Sequence, residues 1–138
     1  AKKYLNETFV MCNADELKNI DLLDMFLYHK SQNAMATIAL TTVPDPSAYG
    51  VAKLQGNWIQ DFIEKPKNPP SNLINAGLYI LEPEVIDMVP KGFSMIEKDI
   101  FPKIAEQKHL LGYSFTGQWM DTGTMERYAK AQKEWKGL

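Results

Sequence analysis

Cysteine is almost missing from this sequence. Cys12 is the only one in 138 residues, which excludes an intrachain disulfide and any zinc site built from several cysteines. It lies in the apolar run Phe9-Val10-Met11-Cys12 and is expected as a buried core thiol. A reactive thiol needs a paired base, and neither His29 nor His109 is close to it in sequence. Also missing is any apolar stretch long enough to cross a bilayer, or a secretory-type leader; the expected setting is the reducing cytoplasm, with no membrane partner. The charge has no strong sign. Fifteen Lys and Arg face 17 Asp and Glu, for a formal net charge of −2, and no basic run argues for nucleic acid. Four common catalytic signatures are absent as well: a Walker-type glycine loop, G-x-G-x-x-G after a strand, His-Glu-x-x-His and Gly-x-Ser-x-Gly. Their absence argues against P-loop hydrolysis, dinucleotide redox chemistry, zinc proteolysis and α/β-hydrolase chemistry.

What is present reads as one α/β domain over residues 1–138. The hydrophobic content of 45% is ample for a core. Residues 8–13 form a short β-rich apolar run, expected to be a strand buried on both faces as in a parallel sheet. Asp21 can cap a helix reaching about Gln32, with Leu22, Leu23, Phe26 and Leu27 on its apolar face. Residues 35–43 read as a second strand, so the opening of the chain reads as a βαβ unit with a right-handed crossover. Residues 49–54 and 58–64 flank Gln55-Gly56-Asn57 as a β-hairpin. A further strand is expected over residues 73–81 and a short helix after Pro83. Residues 94–108 read as helical, interrupted near Pro102. A late strand over residues 110–115 precedes a helix capped by Thr124, with Met125, Tyr128, Ala129, Gln132 and Trp135 on one face. One βαβ unit plus a hairpin leaves a sheet edge uncovered, which reads as part of a larger sheet. That edge is also a route to self-pairing, and so to a homo-oligomer.

Four short blocks could carry chemistry. Asp15 follows a strand directly, where ligands of open α/β folds bind, and it is either a functional carboxylate or a turn residue. Asp121 precedes a helix, with the same two readings. Two carboxylates converging from separate loops can bind magnesium, which favours carboxylate and phosphate oxygens. Glu64-Lys65-Pro66 ends a strand. Lys65 can grip a phosphate and Glu64 can accept from sugar hydroxyls, or the two are a solvated charge pair before a turn. In Asn75-Ala76-Gly77, a glycine inside a strand marks either a bulge or a close approach of backbone to a ligand. Tyr49-Gly50 is a weaker instance of the same pattern.

Taken in order, the blocks resemble the sugar-1-phosphate nucleotidyltransferase family. The matching stretches are Asn13-Ala14-Asp15, Pro46-Ser47-Ala48-Tyr49-Gly50-Val51, Glu64-Lys65-Pro66, Ile74 through Leu81, Ser94 with Glu97, Lys98, Asp99, Phe101 and Pro102, and Trp119 through Thr124. The resemblance implies a Rossmann-like nucleotidyltransferase fold with a mixed sheet and a hairpin insertion. It implies attack of a sugar-1-phosphate oxygen on the α-phosphorus of a nucleoside triphosphate. Magnesium would sit on Asp15 and Asp121, the sugar phosphate on Lys65, and the sugar against Tyr49, Gly50, Glu64, Asn75, Ala76 and Gly77. Mannose-1-phosphate guanylyltransferases are the nearest pattern, with glucose-1-phosphate thymidylyl- or uridylyltransferases and a non-catalytic binding module as alternatives. The family's Gly-x-Gly-Thr-Arg-Leu loop has no match here, so the chain is expected to be a truncated form that is inactive alone. Ala14 replaces the usual Gly or Ser, and Met125 the usual proline.

Overall fold

The computed structural model describes residues 2–137. After a 3-10 turn at Lys2–Tyr4, the strands are β1 (Phe9–Cys12), β2 (Glu16–Lys18), β3 (Ala36–Thr42), β4 (Gly50–Gln55), β5 (Trp58–Glu64), β6 (Leu73–Leu81), β7 (Leu110–Ser114) and β8 (Trp119–Asp121). The helices are α1 (Leu22–Ser31), α2 (Glu84–Asp87), α3 (Phe101–Glu106) and α4 (Met125–Glu134). A π-helical turn at Ile96–Ile100 leads into α3. The architecture is α/β with a mixed sheet, as expected.

Six strands run in the order β1-β6-β3-β7-β5-β4, and β4 also touches β6 through Val51 and Ile74, so the sheet curls back on itself. Among the described residues only β3 and β7 pair in parallel; β6 is antiparallel to β1, β3 and β4. The expected βαβ unit is corrected by this order. Strands β1 and β3 are not neighbours, because β6 lies between them. β1 is an edge strand with alternating exposure, not one buried on both faces: Val10 is 44% exposed. Cys12 follows the same alternation and is exposed, which overturns the buried-thiol expectation. A continuous apolar run on an edge strand looks the same in sequence as one in a sheet centre.

Period-two alternation sorts the strands between two cores. Ala36, Ile38 and Leu40 of β3 face one side with Tyr79 and Leu81 of β6, packing on Ile100, Phe101 and Ile104. Ala39, Ala76, Leu78 and Ile80 face the other side, under Met25 of α1. Phe101 is the hinge of the first core, with ring centroids 5.5 Å from Phe62 and 5.2 Å from Tyr79.

The helix caps are as expected. Asp21 accepts from the Asp24 amide at 2.9 Å, and Thr124 accepts from the Arg127 amide at 3.2 Å. The faces are not. α1 buries Met25 and His29 and leaves Leu23 68% exposed, with Leu22 and Leu27 also exposed. α4 buries Ala131, while Met125 and Tyr128 stand in solvent. Leucine spacing on a ten-residue helix fits more than one face, and here His29 is drawn in by polar partners. Its Nε2–H donates to Glu82 at 3.1 Å, and its Nδ1 accepts from Thr37 at 2.7 Å. Glu82 also accepts from Lys30 at 2.8 Å and from Thr8.

Candidate active site

The site is assembled by the smallest element of the fold. β2 and β8 form a two-stranded antiparallel sheet with Glu16 opposite Asp121 and Lys18 opposite Trp119. The Thr122 amide donates to the Asp15 carbonyl at 2.8 Å. Two loops separated by a hundred residues are thereby held side by side. On the other flank the Asn13 amide donates to the Gly77 carbonyl at 2.8 Å, tying the end of β1 to β6.

Asp15 and Asp121 therefore converge. A methyl group placed on Gly123 would lie 3.2 Å from Asp15 Oδ2 and 3.2 Å from Asp121 Oδ1. The absence of a side chain at Gly123 leaves open a cradle between two hard oxygen donors. That donor chemistry fits a magnesium-like divalent cation completed by substrate oxygens. Among the described residues no cluster of three or more His, Cys, Asp or Glu side chains forms a cation site. A cation here would take its remaining ligands from substrate and water.

A cleft of about 370 Å³ opens over this pair. Asp15, Asp121, Tyr49, Gly50, Glu64, Lys65 and Asn75 all line it, so seven of the nine residues singled out in the sequence meet at one place. Ala76 and Gly77 do not line it. The Ala76 side chain belongs to the core under α1. Gly77 stands behind Glu16, with its amide donating to Asn75 Oδ1 at 2.9 Å and its carbonyl accepting from Lys18 Nζ at 3.1 Å. Gly77 forms a bulge, marked by the register shift of β3 against β6 and a φ of +62°. The group that approaches its backbone is the Glu16 side chain.

The Tyr49 carbonyl accepts from the Lys65 amide at 3.1 Å, and this fixes Lys65 beside the cleft. Lys65 has a φ of +48°, sparsely populated for a residue with a side chain, while its ammonium remains largely in solvent, 3.7 Å from Glu64. A Cβ at Gly50 would lie 2.7 Å from Phe62 Cζ and 3.0 Å from Glu64 Oε2, so glycine at this position leaves room for both side chains. Asn75 donates to the Tyr79 hydroxyl at 2.8 Å. Burial pushes the Tyr79 phenol far above its ordinary range, so it stays a neutral partner. Burial also raises Tyr49, against the pull of Arg127.

Several cleft residues were given no site role in the sequence reading. Glu16 is held by Trp119 Nε1 at 3.1 Å and by Lys18 at 3.4 Å. Glu97 comes from the π-helical turn, a form of helix often found at functional sites. Arg127 pairs with Asp121 and lies 5.9 Å from the Tyr49 ring centroid. The available signal for Arg127 was a cation in the first turn of a helix, where the macrodipole disfavours it. In total five carboxylates and two cations line the cleft. A phosphate cannot settle among them without added positive charge.

Comparison with known proteins points the same way. The mannose-1-phosphate guanyltransferase of Saccharomyces cerevisiae is 40% identical over 121 residues, which cover 86% of this chain and 34% of that protein. A solved Bacillus anthracis chain, provisionally named a glucose-1-phosphate thymidylyltransferase, superposes with a TM-score of 0.86 at 23% identity. The match covers 99% of this chain and 58% of that one. A UDP-glucose pyrophosphorylase complexed with UDP-glucose superposes with a TM-score of 0.75 at 28% identity, over 93% of this chain and 56% of that one. The chain spans between a third and two fifths of the length of the curated relatives it matches. Residues 1–136 match the family described as nucleotidyl transferase, and the chain belongs to that family.

Proposed function

We propose that this cleft binds a sugar 1-phosphate for transfer of a nucleotidyl group from a nucleoside triphosphate. The preferred pair is mannose 1-phosphate with GTP. The observation that carries the reading is the convergence of Asp15 and Asp121 on the open cradle above Gly123, in the same cleft as Lys65. In the reaction a sugar-phosphate oxygen forms a bond to the α-phosphorus as the bond to the β-phosphate oxygen breaks. The products are a nucleotide sugar and pyrophosphate.

Asp15 and Asp121 would hold magnesium, whose charge offsets that of the phosphates brought together. Lys65 carries an exposed ammonium at the cleft wall and grips the sugar phosphate as a point charge. Glu64, held at 13% side-chain exposure beside Gly50, accepts from sugar hydroxyls. Asn75 is pinned between Tyr79 and Gly77 and offers a rigid polar edge next to it. Gly77 supports Glu16 rather than the sugar. Mannose is favoured over glucose because the relatives near 40% identity carry that name, whereas the glucose-named pyrophosphorylase stands at 28%. The lone exposed thiol suits a reducing, cytoplasmic setting.

Calorimetric titration of the 138-residue chain with mannose 1-phosphate tests the reading. Binding is expected to need magnesium, to exceed that of glucose 1-phosphate, and to weaken by about tenfold or more in Lys65→Ala, the loss of one charge-assisted phosphate contact. Unchanged affinity in Lys65→Ala would refute the role of that lysine.

A further inference from the structure

The two carboxylates of the cradle are not equivalent. Among the described residues no side chain hydrogen-bonds the Asp15 carboxylate, which is exposed above Gly123. Asp121 is closed on both oxygens. Its Oδ1 accepts from the Gly123 amide at 2.8 Å, and its Oδ2 pairs with Arg127 Nη1.

Arg127 reaches that oxygen from an unfavourable place. It is the third residue of α4 after the Thr124 cap, where helices favour Glu or Gln and where the macrodipole opposes a cation. Its guanidinium spans toward the Tyr49 ring, and its side chain remains 44% exposed. Beside it lies a second, shallow cleft of about 210 Å³, bounded by Tyr49, Trp119, Met120, Asp121 and Lys130. The guanidinium thus has room to swing away while keeping contact with the aromatic ring.

We propose that Arg127 is a place-holding counter-cation for Asp121, a positioning residue that must release Oδ2 before Asp121, whose Oδ1 already faces the cradle, can offer its full charge and both oxygens to a divalent ion. The inference rests on the two-carboxylate metal reading and adds a named competitor to it. In the resting site Arg127 offsets one carboxylate of an acidic cleft and keeps Asp121 aimed at the cradle. On release it stays over Tyr49 at the cleft wall, where its planar fork can meet a phosphate. Metal affinity is then set partly by the strength of an internal ion pair.

The test uses the 138-residue chain with Mn²⁺ as probe, free Mn²⁺ being counted by electron paramagnetic resonance. Arg127→Gln is expected to tighten Mn²⁺ binding about two- to fivefold, the equivalent of a partly exposed ion pair, while Arg127→Lys stays near wild type. Equal or weaker binding by Arg127→Gln overturns the proposal, since a purely structural arginine would lower the melting temperature without tightening the metal. Asp121→Asn separates the two readings. Loss of Mn²⁺ in that variant without tightening in Arg127→Gln removes only the role of Arg127. Binding as in wild type, or no binding by any chain, removes the two-carboxylate reading and this inference with it. Should Arg127→Gln fail to fold, the Arg127 guanidinium Nη–H resonances of the wild-type chain under Mg²⁺ decide. A shift toward the free-arginine position supports release, and an unmoved signal at saturating Mg²⁺ overturns it.

Discussion

Gly77 and Glu16 are fitted to each other. The backbone at Gly77 has a φ of +62°, and a Cβ there would fall 2.6 Å from the Glu16 carboxyl carbon. Glu16 can occupy that space because Lys18, Trp119 and Asn13 surround its carboxylate. The small β2–β8 sheet that carries Asp121 is therefore seated on β6 through a position with no side chain.

Gly77→Ala is expected to destabilise the chain by about 2 kcal/mol or more, from left-handed strain and collision with Glu16. Urea denaturation measures this. The loss should shrink when Glu16→Ala is added, because the collision is gone while the strain remains. Strictly additive losses in that double-mutant cycle would show that the two residues do not meet.

His29 links stability to pH. Burial holds its imidazole below the ordinary value near 6.5, outweighing the hydrogen bond it donates to Glu82, which pulls it up. The unfolded chain therefore binds a proton that the folded chain resists. Its contribution is fully present above pH 6.5 and is lost as pH falls through that value toward the folded pKa. Glu82 is held below its ordinary 4.5 by Lys30, Thr8 and His29, against the opposing effect of burial, and its share is lost at still lower pH. Denaturation midpoints between pH 8 and pH 5 should fall on acidification, with the His29 ring titrating below 6.5 in NMR spectra. A ring that titrates above 6.5 would reverse the sign and defeat the account.

Phe101 joins the sheet to α3. It is fully buried between Phe62 and Tyr79. Phe101→Ala should cost about 3 kcal/mol or more through lost burial and a cavity, and Phe101→Leu clearly less. Equilibrium unfolding gives both values; a cost below about 1 kcal/mol for the alanine variant would mean that the site collapses freely.

The hairpin, the two long caps and the late strand were legible because their signals are local. Gly56 turns β4 into β5 with a φ of +62°, Asp21 and Thr124 bond amides within three residues, and Pro102 marks the change from π to α. The strand order was not legible, since nothing in Phe9-Val10-Met11-Cys12 says that its neighbour is β6 running the other way. Helix faces failed for the same reason. Leu23 and Leu27 look like core residues until His29 finds Thr37 and Glu82. β2 and β8 are three residues each, below the length at which alternation carries information.

By itself the sequence determined the inventory: an α/β chain, its turns and caps, and the residue types a phosphate and a divalent cation require, in an order that marks the family. Those follow from side-chain chemistry and from contacts a few residues long. Only the tertiary structure decided that Asp15 and Asp121 share one cradle, that Ala76 turns inward, that Gly77 makes room for Glu16, and that Arg127 pairs with one of the two carboxylates. Each depends on pairing between segments tens of residues apart, and the energy that selects such pairing appears only when the segments meet.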